Sequence, residues 1–139
     1  MARVKSKGTG AELLMAALLK RNGLRFRAQA GDLPGKPDFV LRSRQVAIFV
    51  DGEFWHGRGF ARWKSKLDGY WLRKISRNMH RDRRSFAALR KLGWSPVRVW
   101  ESDLLRRPEA ALFRIRDAYL RSRGKRLACM HARRLSGGS

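Results

Sequence analysis

Four residues that can bind a cation or move a proton lie around the two best strand-forming segments of the chain. Asp38 directly precedes the run FVL, Asp51 and Glu53 follow the run VAIFV, and His56 lies in the glycine-flanked loop beyond. Carboxylate oxygens beside a strand-end carbonyl suit Mg²⁺, which is typically held by one or two carboxylates plus phosphate. Such an ion would activate water while a nearby imidazole handles protons. These residues therefore predict a site for metal-assisted hydrolysis.

A further carboxylate, Asp82, interrupts the apolar stripe of a helix predicted over residues 70–92. The stripe has spacings of three and four residues and consists of Leu72, Ile75, Met79, Phe86 and Leu89. A carboxylate in a buried stripe is destabilising unless it is paired or binds a cation. A structural ion pair with Arg81 or Arg98 is one interpretation, and a place in the same site as His56 is the other.

Structural interpretations are open for the other candidates as well. Glu12 completes the capping box TGAE at the start of a first helix, and Asp38 follows a proline at the start of a strand. A lone loop histidine such as His56 is usually polar surface. Convergence favours a functional interpretation, because the hairpin, the strand-end loop and the Asp82 carboxylate can meet at one edge of a single sheet.

The charge of the chain indicates a polyanionic partner. Its 139 residues include 33 Lys and Arg against 11 Asp and Glu, a formal net charge of +22. Nucleic acid rewards each cation that reaches a phosphate, because counterions are released. A membrane surface is the weaker candidate, since no apolar run is long enough for a span and we expect no signal segment. The single cysteine, Cys129, excludes an internal disulfide and a cysteine-based zinc site and fits a reducing cytoplasm.

The elements predicted in the first half of the chain place Asp38 beside its neighbours. A first helix follows the capping box and ends at Asn22-Gly23, and residues 24–29 alternate as a strand. Residues 39–41 and 46–50 form an antiparallel hairpin, with residue 38 opposite residue 48 to within two positions. Asp38 would then lie close to the backbone of Val50 and to Asp51.

The second half of the chain supplies the long helix over residues 70–92, a strand over residues 96–100 and a last helix over residues 108–122. Ala111, Phe113 and Ala118 are predicted to pack from the last helix. The predicted fold class is α/β, a single domain over residues 9–122 with a mixed β-sheet flanked by helices. Residues 1–8 are interpreted as a basic leader, and residues 123–139 as a basic, flexible tail.

Aromatic residues near the His56 loop are candidates for contact with nucleic acid. The four are Phe54, Trp55, Trp63 and Trp71. Aromatics amid Lys and Arg can stack on bases or wedge a duplex open, although core packing is the alternative for any one of them. Trp71, Asn78 and Asp82 span close to three helical turns and share one face. The predicted DNA-binding set is Phe54, Trp55, Trp71, Arg58, Arg81 and Lys74.

Five motifs occur in the order and near the spacing of a known nuclease family. They are SKGTGAELLMAALL, LRFRAQAGDLPGKPDFV, VAIFVDGEFWHG, YWLRKISRNMHRDRR and LRKLGWSPVRVWESDL, which together extend from residue 6 to about residue 105. The chain thereby resembles the very-short-patch repair (Vsr) endonuclease family, which has the restriction-endonuclease-like PD-(D/E)xK fold. The resemblance implies a Mg²⁺-dependent DNA endonuclease, with Mn²⁺ as a further usable ion.

The resemblance also implies a role for each candidate. Asp38 would be the principal metal ligand, helped by the backbone carbonyl of Val50. His56 would handle protons near the scissile phosphate, and Asp82 would orient it. Glu12 would hold metal-bound waters. The family's aromatics enter the duplex beside a T:G mismatch, and its repair enzymes nick the 5′ side of the mispaired thymine.

Two departures from the family pattern concern metal ions. Family members commonly bind a structural zinc, but the corresponding positions here are Glu53, Arg58, Phe60 and Ser102. We therefore expect no structural zinc, and some other packing must hold the His56 loop. The family's second catalytic histidine is Asp51 here, so Asp51 and Glu53 form an acidic pair that could bind metal directly.

Three functions remain open from the sequence. The first is a Vsr-like endonuclease acting in mismatch repair, and the second is a related mobile-element or defence nuclease without mismatch preference. The third is a non-catalytic DNA-binding module. We expect double-stranded DNA as the partner, no membrane, a cytoplasmic and nucleoid-associated location in a bacterial or phage-like setting, and a monomer rather than a dimer.

Overall fold

The computed structural model describes the backbone of residues 10–136 and the side chains of residues 10–122. The helices are α1 (Gly10–Arg21), α2 (Phe60–Trp63), α3 (Gly69–Lys91), α4 (Glu101–Arg106) and α5 (Pro108–Ser136), and a 3₁₀ turn spans Lys64–Lys66. The strands are β1 (Arg27–Ala28), β2 (Phe39–Leu41), β3 (Val46–Asp51) and β4 (Ser95–Trp100). The predicted leader over residues 1–8 and the predicted helix cap at Thr9 lie outside the described residues.

The strands form one mixed sheet in the order β1-β2-β3-β4. β2 is antiparallel to both β1 and β3, whereas β3 is parallel to β4. All six residues of β3 are buried, because both faces of this strand are covered by helices. The predicted α/β class, a single domain with a mixed sheet flanked by helices, is confirmed.

Successive side chains of β3 enter two different apolar cores. Val46, Ile48 and Val50 pack with residues of α1, α4 and α5. Ala47 and Phe49 pack with Leu89 and Phe86 of α3. This alternation follows from the two-residue period of a strand. It places α3 on one face of the sheet and α1, α4 and α5 on the other.

The predicted hairpin and long helix are confirmed. Phe39 is in register with Ile48, so residue 38 lies opposite residue 49, one position from the expected partner. α3 begins and ends within one residue of the prediction. Gly93 then turns the chain into β4 with a φ of +87°, a left-handed conformation that glycine adopts readily.

The predicted end of α1 at Asn22-Gly23 is confirmed. Gly23 has a φ of +69°, and the Leu24 N–H donates to the Leu19 carbonyl at 3.0 Å. This hydrogen bond satisfies a carbonyl that the last helical turn leaves without a partner.

The strand predicted over residues 24–29 is shorter in the structure. Only Arg27 and Ala28 pair with β2. Gln29 has a φ of +57°, which ends the extended backbone there. Leu24 and Phe26 instead pack against the core beside α1.

The last helix differs from the prediction in length and in its buried face. α5 continues to Ser136, past the predicted end at residue 122, because Arg, Lys, Leu and Ala around Gly124 are good helix formers. Phe113 is 72% exposed, so its predicted packing is wrong. It lies two residues from the buried Ala111, on the opposite side of the helix, and Ile115 is buried in its place. No described helix, α5 included, has the length and apolar character of a membrane span.

Candidate active site

Three side chains from different parts of the chain meet beyond the end of β3. Nδ1 of His56 lies 2.6 Å from Oδ2 of Asp82, and Nε2 of His56 lies 3.4 Å from Oδ1 of Asp51. One ligand atom from each residue lies within 4.8 Å of the other two. Asp51 is almost fully buried, while His56 and Asp82 are each one-fifth exposed. This acidic and imidazole cluster, Asp51, His56 and Asp82, is able to hold a metal ion or a mobile proton.

The loop over residues 52–59 brings His56 onto α3 by close backbone contact. Gly57 has a φ of +72°, and a Cβ at this position would lie 2.3 Å from the sulfur of Met79. Asn78 of α3 also donates from its side-chain amide to the carbonyl of Trp55 at 3.1 Å. Only a glycine allows this approach without displacing Met79, so Gly57 and Asn78 fix the height of His56 above the helix.

Arg98 of β4 lies between the two carboxylates of the cluster. Its Nε donates to Oδ2 of Asp51 at 3.0 Å. Its Nη2 lies 2.7 Å from Oδ2 of Asp82, an ion pair in which that nitrogen makes no aligned hydrogen bond. The guanidinium also lies over the rings of Phe86 and Trp100, 4.8 and 4.9 Å from their centroids.

Both sequence interpretations of Asp82 are therefore present at once. Asp82 forms the ion pair with Arg98 and also contacts His56. The other arginine considered as a partner, Arg81, is exposed on α3 and forms no ion pair within the described residues. Residue 98 is in register with Phe49, whose side chain faces α3. The alternation of buried valines in PVRVW was the signal that could have placed Arg98 on that face.

Asp38 lies where the hairpin predicted it. Its Oδ2 accepts a hydrogen bond from the Val50 N–H at 2.8 Å, and its own N–H donates to the Ile48 carbonyl at 3.0 Å. Asp38 is 4% exposed. The predicted proximity of this carboxylate to the backbone of Val50 is confirmed, and its role as a metal ligand stays a prediction.

Glu12 is buried on α1, which covers the face of the sheet opposite α3. It approaches the sheet from the other side and does not belong to the cluster formed by Asp51, His56 and Asp82. Its predicted role in holding metal-bound water stays a prediction.

Glu53 turns away from Asp51 toward the start of α4. Its Oε1 accepts hydrogen bonds from the backbone N–H of Ser102 at 3.0 Å and from the Ser102 hydroxyl. Burial opposes ionisation, but the hydrogen bonds from Ser102 and the charge of Arg58 outweigh it, so the pKa of Glu53 lies below its ordinary value. A direct bond from Glu53 to metal stays a prediction, and the contacts observed here hold the loop.

Arg58 completes this second network. Its Nη1 lies 3.0 Å from Oδ2 of Asp103 and 3.8 Å from Oε1 of Glu53. Glu53, Arg58 and Ser102 are three of the positions at which the family resemblance places zinc ligands. In this chain they form hydrogen bonds and ion pairs, which supply the packing that the sequence required for the loop.

The predicted aromatic residues form one cluster at the tip of the loop. Phe54 stacks on Trp63 with a centroid distance of 5.5 Å and an interplanar angle of 16°. Trp55 contacts both Phe54, at 5.2 Å, and Trp71, at 5.5 Å. The Lys74 ammonium lies 5.4 Å from the centroid of Trp55 and 5.7 Å from that of Trp71. Phe54 is 42% exposed, so the cluster offers an aromatic edge beside a cation.

Comparison with known proteins identifies the family. A sequence model of the family "DNA mismatch endonuclease Vsr" matches residues 1–62. A type II nicking enzyme of Neisseria meningitidis serogroup C is 39% identical over 117 residues, covering 82% of this chain and 79% of that protein. The chain belongs to the Vsr family. The predicted resemblance is thus confirmed, and the protein is a DNA endonuclease of the Vsr type.

Other Vsr-family relatives have similar identities. A type II nicking enzyme of Xanthomonas oryzae is 46% identical over 107 residues, covering 75% of this chain and 78% of the relative. The DNA mismatch endonuclease Vsr of Escherichia coli is 40% identical over 106 residues, covering 75% of this chain and 68% of the relative. Family membership supports the nuclease over the non-catalytic module among the functions left open by the sequence.

Proposed function

We propose that this Vsr-family endonuclease requires Mg²⁺, accepts Mn²⁺, and hydrolyses phosphodiester bonds of double-stranded DNA. The observation that carries the proposal is the 2.6 Å contact between His56 Nδ1 and Asp82 Oδ2, at the end of a strand where Asp51 is buried. An imidazole held by a carboxylate beside further acidic groups is an arrangement for moving protons next to a bound cation.

His56 is the proton-handling residue of this proposal. A carboxylate of Asp82 accepts hydrogen bonds only, so Nδ1 of His56 carries the proton in their contact. Nε2 is then the nitrogen left to take up or release a proton. Asp82 is a positioning residue, because it fixes the ring and its tautomer without touching the substrate.

Asp38, the backbone carbonyl of Val50 and Asp51 are the proposed metal-binding groups, with Glu12 holding metal-bound waters from the other face of the sheet. Hard oxygen donors of this kind fit Mg²⁺, and the buried Asp38 is already fixed by the Val50 N–H. When bound, the ion would activate water and stabilise the charge that develops on the phosphate.

The DNA contacts of the proposal come from the aromatic edge and its neighbouring cations. Phe54, Trp55 and Trp71 would stack on bases or separate them, and Lys74, Arg58 and Arg81 would meet phosphates. The ring contacts among these aromatics support the proposal, because they present several π-faces at one place. The proposal also includes a cytoplasmic, nucleoid-associated location and a monomeric state. Light scattering of the purified protein tests the monomeric state.

Cleavage of supercoiled plasmid and of end-labelled duplexes tests the proposed chemistry. Wild-type protein is expected to cut with Mg²⁺ or Mn²⁺ and to leave the DNA intact with EDTA. Asp38→Asn should abolish cutting, whereas the matched control Asp32→Asn should cut like wild type, since Asp32 is exposed and pairs with Arg42. Equal products from wild type and Asp38→Asn would remove Asp38 from the mechanism.

Mismatch preference is a separate arm of the same experiment. The Escherichia coli relative is named for mismatches, and the aromatic edge supports a similar use here. Duplexes that differ only in one T:G or T:A pair are compared at equal enzyme. Faster cutting of the T:G duplex supports mismatch repair, and equal rates support the nuclease without mismatch preference.

A further inference from the structure

A basic groove runs between α3 and the loop over residues 31–36, outside the acidic and imidazole cluster. Its cavity has a volume of about 680 Å³ and is lined by Gly35 of the loop and by Arg77, Arg81, Arg84 and Ser85 of α3. No Asp or Glu lines it. We call this feature the α3 groove.

The wall of the α3 groove is a backbone that lies directly on the helix. Gly35 has a φ of +77°, and a Cβ there would lie 2.8 Å from Cβ of Ser85 and 3.2 Å from the ring of Phe49. No larger residue fits without moving the loop. The groove is therefore a fixed part of the fold, because its wall lies against Phe49, the β3 residue that also packs with α3.

Among the side chains that the structure describes, the arginines of the α3 groove have no acidic partners. Arg77, Arg81 and Arg84 are exposed, and within residues 10–122 none of them forms an ion pair. In the same protein, Arg42, Arg58, Arg98 and Arg121 all do. Three like charges at spacings of four and three residues repel one another unless a polyanion is present.

The row of charges continues to the aromatic cluster. Lys74 lies three residues before Arg77 on the same side of α3, and its ammonium faces the rings of Trp55 and Trp71. From residue 74 to residue 84 the helix rises about 15 Å. This length suits several consecutive phosphates, and a guanidinium presents paired donors to each.

We propose that the α3 groove binds the sugar-phosphate backbone of one strand of the DNA substrate and leads it past the aromatic cluster. This proposal rests on the proposed function, because it assigns a path to the same substrate. The groove contacts charge rather than base edges, so it contributes affinity and alignment without sequence preference.

A matched pair of double variants tests the α3 groove. Arg77→Gln with Arg84→Gln removes two cations from the groove. Arg83→Gln with Arg90→Gln removes two exposed arginines at the same seven-residue spacing of the same helix, neither of which lines the groove. Binding of one labelled duplex is measured by anisotropy in EDTA at several salt concentrations, and circular dichroism verifies that each variant is folded.

In the groove variant, affinity is expected to fall less steeply with salt: the magnitude of the slope of log affinity against log salt should be smaller by about 2, because each phosphate contact contributes about 0.9. The Arg83 and Arg90 variant should keep the wild-type slope, and Arg77→Lys with Arg84→Lys should restore most of the loss. The proposal would be overturned if the groove variant kept the wild-type slope, or if both double variants showed the same reduction in slope.

The experiments distinguish an error in the groove proposal from an error in the proposed function. If wild type binds and cuts DNA while the groove variant binds as wild type, the groove alone is wrong. If wild type does not bind the duplex at any salt concentration, both are wrong. Unchanged cutting by Asp38→Asn leaves the groove intact and contradicts the proposed chemistry.

Discussion

The two sides of the loop over residues 52–59 use the same residue types for different purposes. On the side of α3, Asp51 and Asp82 share Arg98 and contact His56. On the side of α4, Glu53 and Asp103 share Arg58 and contact Ser102. Both networks contain two carboxylates and a guanidinium. The first is the more buried and includes an imidazole, whereas the second is about one-third exposed and ends in hydrogen bonds to a helix start.

Burial and the identity of the third partner therefore distinguish a network of carboxylates and a guanidinium that can act in chemistry from one that holds a loop in place. A desolvated carboxylate pair beside an imidazole is electrostatically sensitive, because charges interact more strongly away from water. A more exposed pair is screened and contributes little beyond its hydrogen bonds. We therefore expect substitutions of Asp82 and His56 on the α3 side to affect cleavage, and substitution of Glu53 on the α4 side to affect mainly stability. Arg58 is set apart from this comparison, because it is also proposed to meet phosphates.

The largest effect is expected from His56→Ala. Loss of a general acid or base lowers the rate by about 10²- to 10⁴-fold, while the free energy of unfolding should change by less than about 1 kcal/mol. Single-turnover cleavage and urea denaturation measure the two quantities. Asp82→Asn, which loosens the ring without removing it, should lower the rate by about 10- to 100-fold. An unchanged rate in His56→Ala would remove the functional distinction between the two networks.

Arg98→Met is expected to destabilise the fold by about 3 kcal/mol, because removing one partner of a buried ion pair is strongly unfavourable. Arg98 and Asp82 are each about one-fifth exposed, which favours the lower end of the range of about 3–5 kcal/mol. Arg42→Met is the control, since the Arg42 pair with Asp32 is exposed and should contribute less than about 1 kcal/mol. Equal losses in urea denaturation would mean that burial does not distinguish these pairs.

Gly57→Ala should destabilise the fold by about 2 kcal/mol and also slow cleavage. The new Cβ would meet Met79 at 2.3 Å in addition to the strain of a φ of +72°. Gly23→Ala is the matched control, since it has a φ of +69° with nothing within 4 Å of a Cβ. It should be destabilised by about 1 kcal/mol and cut at the wild-type rate. Similar cleavage rates in both variants would show that the height of His56 is unimportant.

The smallest effect is expected from Glu53→Gln, at about 1 kcal/mol near neutral pH. The pKa of Glu53 lies below its ordinary value near 4.5, so its ionised carboxylate stabilises the folded state above that value. The contribution is lost as pH falls through the lowered pKa. The difference in unfolding free energy between wild type and Glu53→Gln should therefore shrink between pH 7 and pH 3. A constant difference would contradict an ionised Glu53 in the α4 network.

The sequence predicted the local parts of this architecture well. The β2-β3 hairpin, the bounds of α3 and the glycine end of α1 were confirmed because each depends on neighbours in the chain. The contact of Asp38 with Val50 followed from the same hairpin register. Phe113 was misplaced because apolar character alone does not say which side of a helix is covered.

The sequence did not predict which ion-pair and hydrogen-bond partners residues in distant segments have. Arg98 was considered for Asp82, but its simultaneous contact with Asp51 required β4 to lie parallel to β3. Glu53 follows Asp51 by two residues, yet the two carboxylates have different partners, because β3 ends at Asp51 and Glu53 lies in the turn that follows. A pattern that pairs two acids by spacing does not contain that turn.

Composition, periodicity and the order of motifs were sufficient to predict the net charge, the hairpin, the long helix and the family to which the chain belongs. The folded structure was needed to show that Asp51 and Asp82 both contact Arg98 and His56, whereas Glu53 binds Ser102. It also showed that three arginines of α3 form no ion pair among the described side chains. The physical reason is that ionic and hydrogen-bonding partners are chosen by the packing of elements far apart in the chain, where desolvation makes each choice selective.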